Sequence, residues 1–213
     1  MNINKITDLP AGLRPQVFGE LSERIQEIHL FIFWDQARSK QDTLLGSINS
    51  KFKIIDVVEI FWQKNNFSKN LSRFYGENLP KGCHKEMHCG TGPMLAVIVG
   101  DSNPNYDLRI TSKGDLEVNT NIFDEKMQLR KMTGGGHKIH ATNNNLEAEK
   151  DIKLLLHKNI KDYYELGAWD LVIKKWNEDI VKFCPGIGKG KLINRKKIEK
   201  ILKNDLKNDN EIY

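Results

Sequence analysis

The chain has 213 residues, 39% hydrophobic and 29% charged, the proportions of a water-soluble globular protein with one sizeable core. No apolar run approaches the roughly 20 residues that cross a bilayer. The opening stretch MNINKITDLPAGLRPQ also lacks the apolar centre of a secretory signal, so a cytoplasmic protein is expected. The net charge of +5 is local: nine Lys or Arg face four Asp or Glu between Lys182 and Tyr213, which leaves the rest neutral and without a nucleic-acid-binding footprint.

In chain order, residues 1–27 read as a leader packing on the domain, 28–160 as an α+β core and 161–213 as an extension with a basic tail. IHLFIFW (28–34) is a short apolar run rich in β-formers and predicts a buried strand. Leu44, Leu45, Ile48 and Phe52 recur at helical spacing, and KIIDVVEIFW (53–62) is a second strand. Phe67, Leu71, Phe74 and Tyr75 share one helical face. ENLPKGCHKEMHCGTGP reads as a Gly/Pro-bearing connection, with Lys81 and Lys85 placed to face a bound phosphate. MLAVIVGD (94–101) is the clearest strand. SNPNYDLRITSKGDLEVNTN reads as loop and short strand, and IFDEKMQLRKM as a helix. A last short strand and a last helix follow. Four strands with helices on one face predict a ferredoxin-like antiparallel sandwich.

Three cysteines, Cys83, Cys89 and Cys184, form no disulfide framework. His84 and His88 stand four apart and would share a helix face as zinc ligands, but the flanking Pro80, Gly82 and Gly90 favour a loop, so no metal site is assigned. CPGIGKGK (184–191) lacks the spacing of a phosphate loop. Trp169 and Trp176 read as core fillers of an appended strand or helix. The lysine-rich tail could touch an acidic partner, on charge alone.

The chemistry concentrates in GGGHKIHATNNNLEAEKDIKLLL (134–156). Asn144 and Glu147 have capping-box spacing at the start of a helix whose Ala148, Ile152 and Leu155 form an apolar stripe. Asp151 flanks that stripe, within reach of His140 at the end of the preceding strand. A carboxylate on one imidazole nitrogen fixes the tautomer and leaves the other as nucleophile or base. The helix N-terminus and the amides of ATNNN would favour a phosphate. The plainer reading is a satisfied polar residue at a strand end.

The same segment, from Ile139 into the helix, resembles the active-site segment of nucleoside diphosphate kinases without a gap. The resemblance implies an NDP-kinase-like fold, with His140 as the phosphorylated histidine, Thr142 as the serine two residues on, and Asp151 as the acid that holds the histidine. GPMLAVIVGDSNPNYDLR is similar to a second family strand and implies that Arg109 binds phosphate. RFYG implies Tyr75 at the site, and FIFW with LLGSINSKF looks like the first strand and helix. The likeness spans roughly residues 28–157.

Departures fall on nucleotide contacts. The lysine-proline-aspartate-glycine signature is replaced by WDQARSK, where Arg38 and Lys40 are the nearest basic residues. The asparagine three before the histidine is His137, which would contact a sugar hydroxyl or phosphate. Lys126 and Arg130 are the candidates for a second phosphate-binding arginine. The likeness therefore implies fold more firmly than activity. TGGGHKIHATNN with the upstream HCGTGP also looks like small domains that accompany bacterial surface-polysaccharide enzymes, which implies a sugar, polyol or sugar-acid acceptor.

The expected enzyme is thus a phosphotransferase or nucleotide-activating enzyme using Mg2+ with ATP or another nucleoside triphosphate and a small acceptor. His140 serves as phosphoryl acceptor or as general base. The family implies a homo-oligomer. The alternative is a non-catalytic nucleotide- or sugar-binding module whose kinase site has decayed.

Overall fold

The computed structural model describes residues 26–111 and 114–176; the leader expected over 1–27 falls mostly outside these, as do Cys184 and the basic tail. Apolar continuity sets the architecture. Strand β1 (Glu27–Phe33) has six of seven residues buried and β3 (Met94–Asp101) has all eight. Strands without polar alternation need cover on both faces. β2 (Lys53–Ile60) is nearly as apolar. With β6 (Ile139–Ala141) and β7 (Lys174–Trp176), these strands form one sheet in the order β6-β1-β3-β2-β7.

The pairs β6–β1, β1–β3 and β3–β2 are antiparallel, whereas β7 runs parallel to β2. Taken alone, β1, β2, β3 and β6 have the ferredoxin-like order, the last strand beside the first and the third between the first and second. The described part of the C-terminal extension therefore adds an edge strand to this sheet. It is held there by Asp56, fully buried beside a β-bulge in β2, whose carboxylate accepts from Lys174 Nζ at 2.8 Å.

Helices cover both faces, not the one expected. Leu44, Leu45 and Ile48 of α1 (Gln41–Asn49) pack with Phe31, Phe33, Val97 and Val99 on one face. Ile122 and Leu129 of α4 (Thr120–Met132) join them. The other face carries Leu30, Ile32 and Trp34 against Phe67, Leu71 and Phe74 of α2 (Phe67–Tyr75) and Ala148, Ile152 and Leu155 of α5 (Asn145–Leu156). The reason lies in β1 itself, where both sets of alternate residues are apolar.

Two local readings change. CHKEMHC is not a loop: His84–Cys89 form a short helix, α3. Cys83 Sγ accepts from Glu86 N, and the buried Glu86 carboxylate reaches back to Gly82 N, a reciprocal cap made with a thiol in place of a hydroxyl. Gly82 and Gly90, both at positive φ, bracket the helix rather than dissolve it. The polar stretch after β3 is a full hairpin of β4 (Tyr106–Thr111) and β5 (Gly114–Asn119), paired apart from the main sheet. Among the described residues no helix is long and apolar enough to cross a membrane.

Trp34, fully buried at the end of β1, meets Trp62, Phe67, Phe74 and Tyr75 with ring centroids 5.8–6.3 Å apart. Deleting such a ring leaves a cavity beneath α2, so Trp34→Ala should cost about 3–5 kcal/mol. Leu108→Ala, on a side chain 64% exposed, should stay within about 0.5 kcal/mol. Denaturant unfolding of both variants checks this; equal midpoints would contradict the packing described.

Candidate functional site

His140 is the central residue of the three-residue strand β6, flanked by the buried Ile139 and Ala141. Those two residues face the α1/α4 side, so pleat alternation sends His140 to the other face. There its ring stands edge-on to Phe74 and Tyr75, centroids 4.9 and 5.8 Å away. Nε2 lies 3.2 Å from Asp151 Oδ2. A carboxylate only accepts, so Nε2 carries the proton of this contact, and in the neutral ring Nδ1 keeps its lone pair. The histidine–acid contact expected from the spacing is made.

The pair opens on a cavity of about 360 Å³. Its basic wall comprises Lys85, Lys126 and Arg130 with His137 beside them, and the acids Glu77, Glu147 and Asp151 line it too. Its apolar wall comprises Ile110, Leu116, Phe123 and Met127, the last two on the same helix as Lys126 and Arg130, with Lys126 Nζ 4.4 Å from the Phe123 ring centroid. Lys126 donates to Asn143 Oδ1 at 3.0 Å and Arg130 Nε to the Ile139 carbonyl at 3.0 Å. Burial pulls the Lys126 ammonium down to about 8, and the neighbouring Arg130 guanidinium adds to this. Burial likewise lowers Arg130, and it lowers the His137 imidazole together with Lys85 and Arg130. Like charges drawn together and stripped of water are stabilised by an anion. Tyr75 lies at the back, its phenol pushed up by burial and then by the Cys89 thiol, with Lys85 Nζ 4.2 Å from its ring centroid.

The main chain makes this wall possible. Gly134, Gly135 and Gly136 all hold φ near +80° (80°, 81° and 77°), a run that side-chain-bearing residues do not sustain. A Cβ on Gly136 would collide with His88 Nδ1. The turn reverses the chain after α4 and returns His137 to the cavity. At the other end of α4, Asn119 caps Ile122 N and donates to the buried Asp101, which fixes where Lys126 and Arg130 emerge.

Several expected contacts are not made. Arg109 does not line the cavity; it lies on β4 with its guanidinium engaged by Asp107 at 2.9 Å and Asp124 at 3.6 Å. Thr142 is fully buried, with Oγ1 accepting from Leu30 N and lying 3.1 Å from His29 Nδ1, so its hydroxyl serves the sheet and not the cavity. Arg38 is tied to Glu59 at 2.7 Å and to the Pro93 carbonyl, and Lys40 to the Met132 carbonyl. Lys81 is outside the lining, whereas Lys85 is in it. The N-terminus of α5 is partly closed to an anion: Glu147 N donates to Asn144 Oδ1, and Asn143 N donates to the Glu147 carboxylate. The expected cap exists, but the acid reaches one residue beyond it.

Sequence reasoning missed the apolar wall. The alternation of Leu108 and Ile110 within YDLRIT was its one available signal. The metal-ligating geometry of Glu147 was also missed: His140, Glu147 and Asp151 each offer a ligand atom, and these lie within 4.8 Å of one another.

No protein-family model matches the chain, and no curated protein matches it. Among solved structures, the nucleoside diphosphate kinase of Aquifex aeolicus, in an orthorhombic crystal form, is similar at 17% identity and a TM-score of 0.38. The match covers 60% of this chain and 92% of that one. A likeness so remote assigns neither family nor activity.

Lys126 gives a direct test of the cationic wall. The native ammonium loses its proton near 8 and an unfolded lysine near 10.5, so between these values the native state holds fewer protons. Stability contributed by this group therefore rises as pH climbs through the window, while affinity for an anion in the cavity falls. In carbon-labelled protein, the Lys126 side-chain resonances should titrate near pH 8, and inorganic phosphate should move the midpoint upward. A midpoint at the ordinary value, insensitive to phosphate, would contradict this wall.

Proposed function

We propose that the chain is a nucleotide-dependent phosphotransferase acting on a small hydroxyl-bearing acceptor, with His140 as its reactive group. The supporting observation is the 3.2 Å contact of His140 Nε2 with Asp151 at a cavity lined by Lys85, Lys126 and Arg130 together with apolar side chains. A nucleotide is a flat apolar base joined to a polyanion, and it matches that mixed lining. The base would lie along Ile110, Leu116 and Phe123. The phosphates would lie along Lys85, Lys126, Arg130 and His137.

In the first half-reaction, the Nδ1 lone pair attacks the terminal phosphorus in line with the bridging oxygen. The N–P bond forms as the P–O bond to the leaving nucleoside diphosphate breaks. The imidazole becomes cationic, its Nε2–H held by Asp151. The lysines and arginine neutralise the leaving phosphates. In the second, an acceptor hydroxyl oxygen attacks the phosphorus as the N–P bond breaks; the hydroxyl proton passes to solvent, and His140 returns to the neutral form with its Nδ1 lone pair restored. Mg2+ carried on the phosphates needs few protein ligands and screens their charge; Glu77 and Glu147, which border the cavity, suit its water shell. A variant of this chemistry keeps His140 as general base for direct transfer. A sugar, polyol or sugar acid is the acceptor class in view.

One observation favours a second reading, a binding module without chemistry: Arg38 and Arg109, the basic residues nearest the family's phosphate ligands, are engaged elsewhere. Incubation with γ-labelled ATP and Mg2+ separates the readings. Acid-labile label on the wild type, absent in His140→Ala and reduced in Asp151→Asn, is the expected result. Labelled acceptor without labelled protein would assign the general-base variant. Nucleotide binding with no transfer to protein or to any hydroxyl acceptor would assign the module and overturn the proposal.

A further inference from the structure

We propose that His140, Glu147 and Asp151 form a binding site for a borderline divalent cation such as Zn2+ or Mn2+. The inference concerns the same imidazole as the phosphotransfer reading but does not rest on it. Glu147 and Asp151 are four residues apart on α5 and so stand one above the other on one face. His140 approaches that face from β6. The three side chains offer one ligand atom each, all within 4.8 Å. His140 Nε2 and Asp151 Oδ2, 3.2 Å apart, already stand near the separation of about 3.3 Å that donors take at tetrahedral angles with bonds of about 2.0–2.1 Å.

The donor set suits such an ion. Two carboxylates and a neutral imidazole supply a charge of −2 and mixed oxygen and nitrogen ligation, which Zn2+ and Mn2+ accept. Glu147 accepts from Asn143 N, which occupies one of its several lone-pair positions and fixes the carboxylate at the cavity's edge. All three residues line the cavity, so the ion would keep open coordination positions toward it. Binding replaces the Nε2 proton with a dication, which draws electron density from the ring and removes the acceptor that would stabilise an imidazolium. A loaded site therefore has a poor Nδ1 nucleophile.

The rival for a transition metal is the set of imidazoles at the rim, His84, His88 and His137, with ring centroids 4.0–6.2 Å apart. Calorimetric titration of the full chain with Zn2+, repeated with Mn2+ by electron paramagnetic resonance, distinguishes the two in the absence of nucleotide. We expect one ion per chain. Glu147→Gln and Asp151→Asn should each weaken binding on the order of tenfold or more, while the His84→Ala/His88→Ala double variant binds like the wild type. The amide oxygen introduced by Glu147→Gln still accepts from Asn143 N, and matched circular-dichroism melts identify variants that fold. Absence of binding, insensitivity to both carboxylate changes in folded variants, or loss in the His84/His88 variant would each overturn the proposal. Because nucleotide is omitted, failure to label His140 with phosphate leaves this outcome unaffected, and the reverse holds equally.

Discussion

A hydrogen bond between His140 Nε2–H and Asp151 Oδ2 joins the edge strand of the sheet to the helix that follows it, across only eleven residues of chain. The chemistry proposed for the molecule depends on that contact. It sets the tautomer of the neutral ring and requires α5 to return against the same sheet face that His140 occupies. Packing makes the return obligatory: Ala148, Ile152 and Leu155 bury against Leu30 and Ile32, and their spacing leaves Asp151 at the margin of the apolar stripe. Ile152 and Leu155, buried at about 1.5–3 kcal/mol each, outweigh the contribution of one hydrogen bond, about 1 kcal/mol. The core places the pair, and the pair does not hold up the core.

Opposite the pair, α4 presents Lys126 and Arg130 on the side of the sheet's end where β6 begins. Its position is fixed at both ends by unlike devices. Asn119, buried among Asp101 and His29, ties its start to β1 and β3 through hydrogen bonds. Three glycines in the left-handed region release its end. Burying Lys126 and Arg130 side by side is costly: burial lowers both, and Glu147 offsets only part of that at Lys126. Two apolar side chains of the hairpin, Ile110 and Leu116, line the same cavity, and Ile110 is 86% exposed, a large side chain left in water. Groups held in unfavourable surroundings on both sides of one space are the mark of a site that a ligand completes.

How much of this could be read from the sequence varies with the range of the interaction. The local part was legible: the strands at 28–34 and 94–101 came from unbroken apolar runs, the start of α5 from Asn144 and Glu147, and the His140–Asp151 pairing from strand-then-helix spacing. Contacts spanning many residues were not. Nothing in the order of residues says that Arg109 turns to Asp107 and Asp124, or that Thr142 is consumed by His29 and the Leu30 amide, since those partners arrive only with the fold. Helix α3 was missed because two glycines suggest a break, while a cysteine and a buried glutamate supplied the cap. The second covered face was missed for a different reason. Apolar runs in β1 and β3 state that both faces are buried, and only the helix count pointed toward one layer.

The orientation of one ring therefore carries the account, and long-range nitrogen–proton correlation spectra of the imidazoles observe it directly. In the wild type at neutral pH, His140 should give the pattern of a neutral ring protonated at Nε2, with Nδ1 at the shift of an unprotonated nitrogen; in Asp151→Ala the two nitrogens should move toward a tautomeric average. A wild-type ring protonated at Nδ1, or a tautomeric average that Asp151→Ala leaves unchanged, would contradict the account.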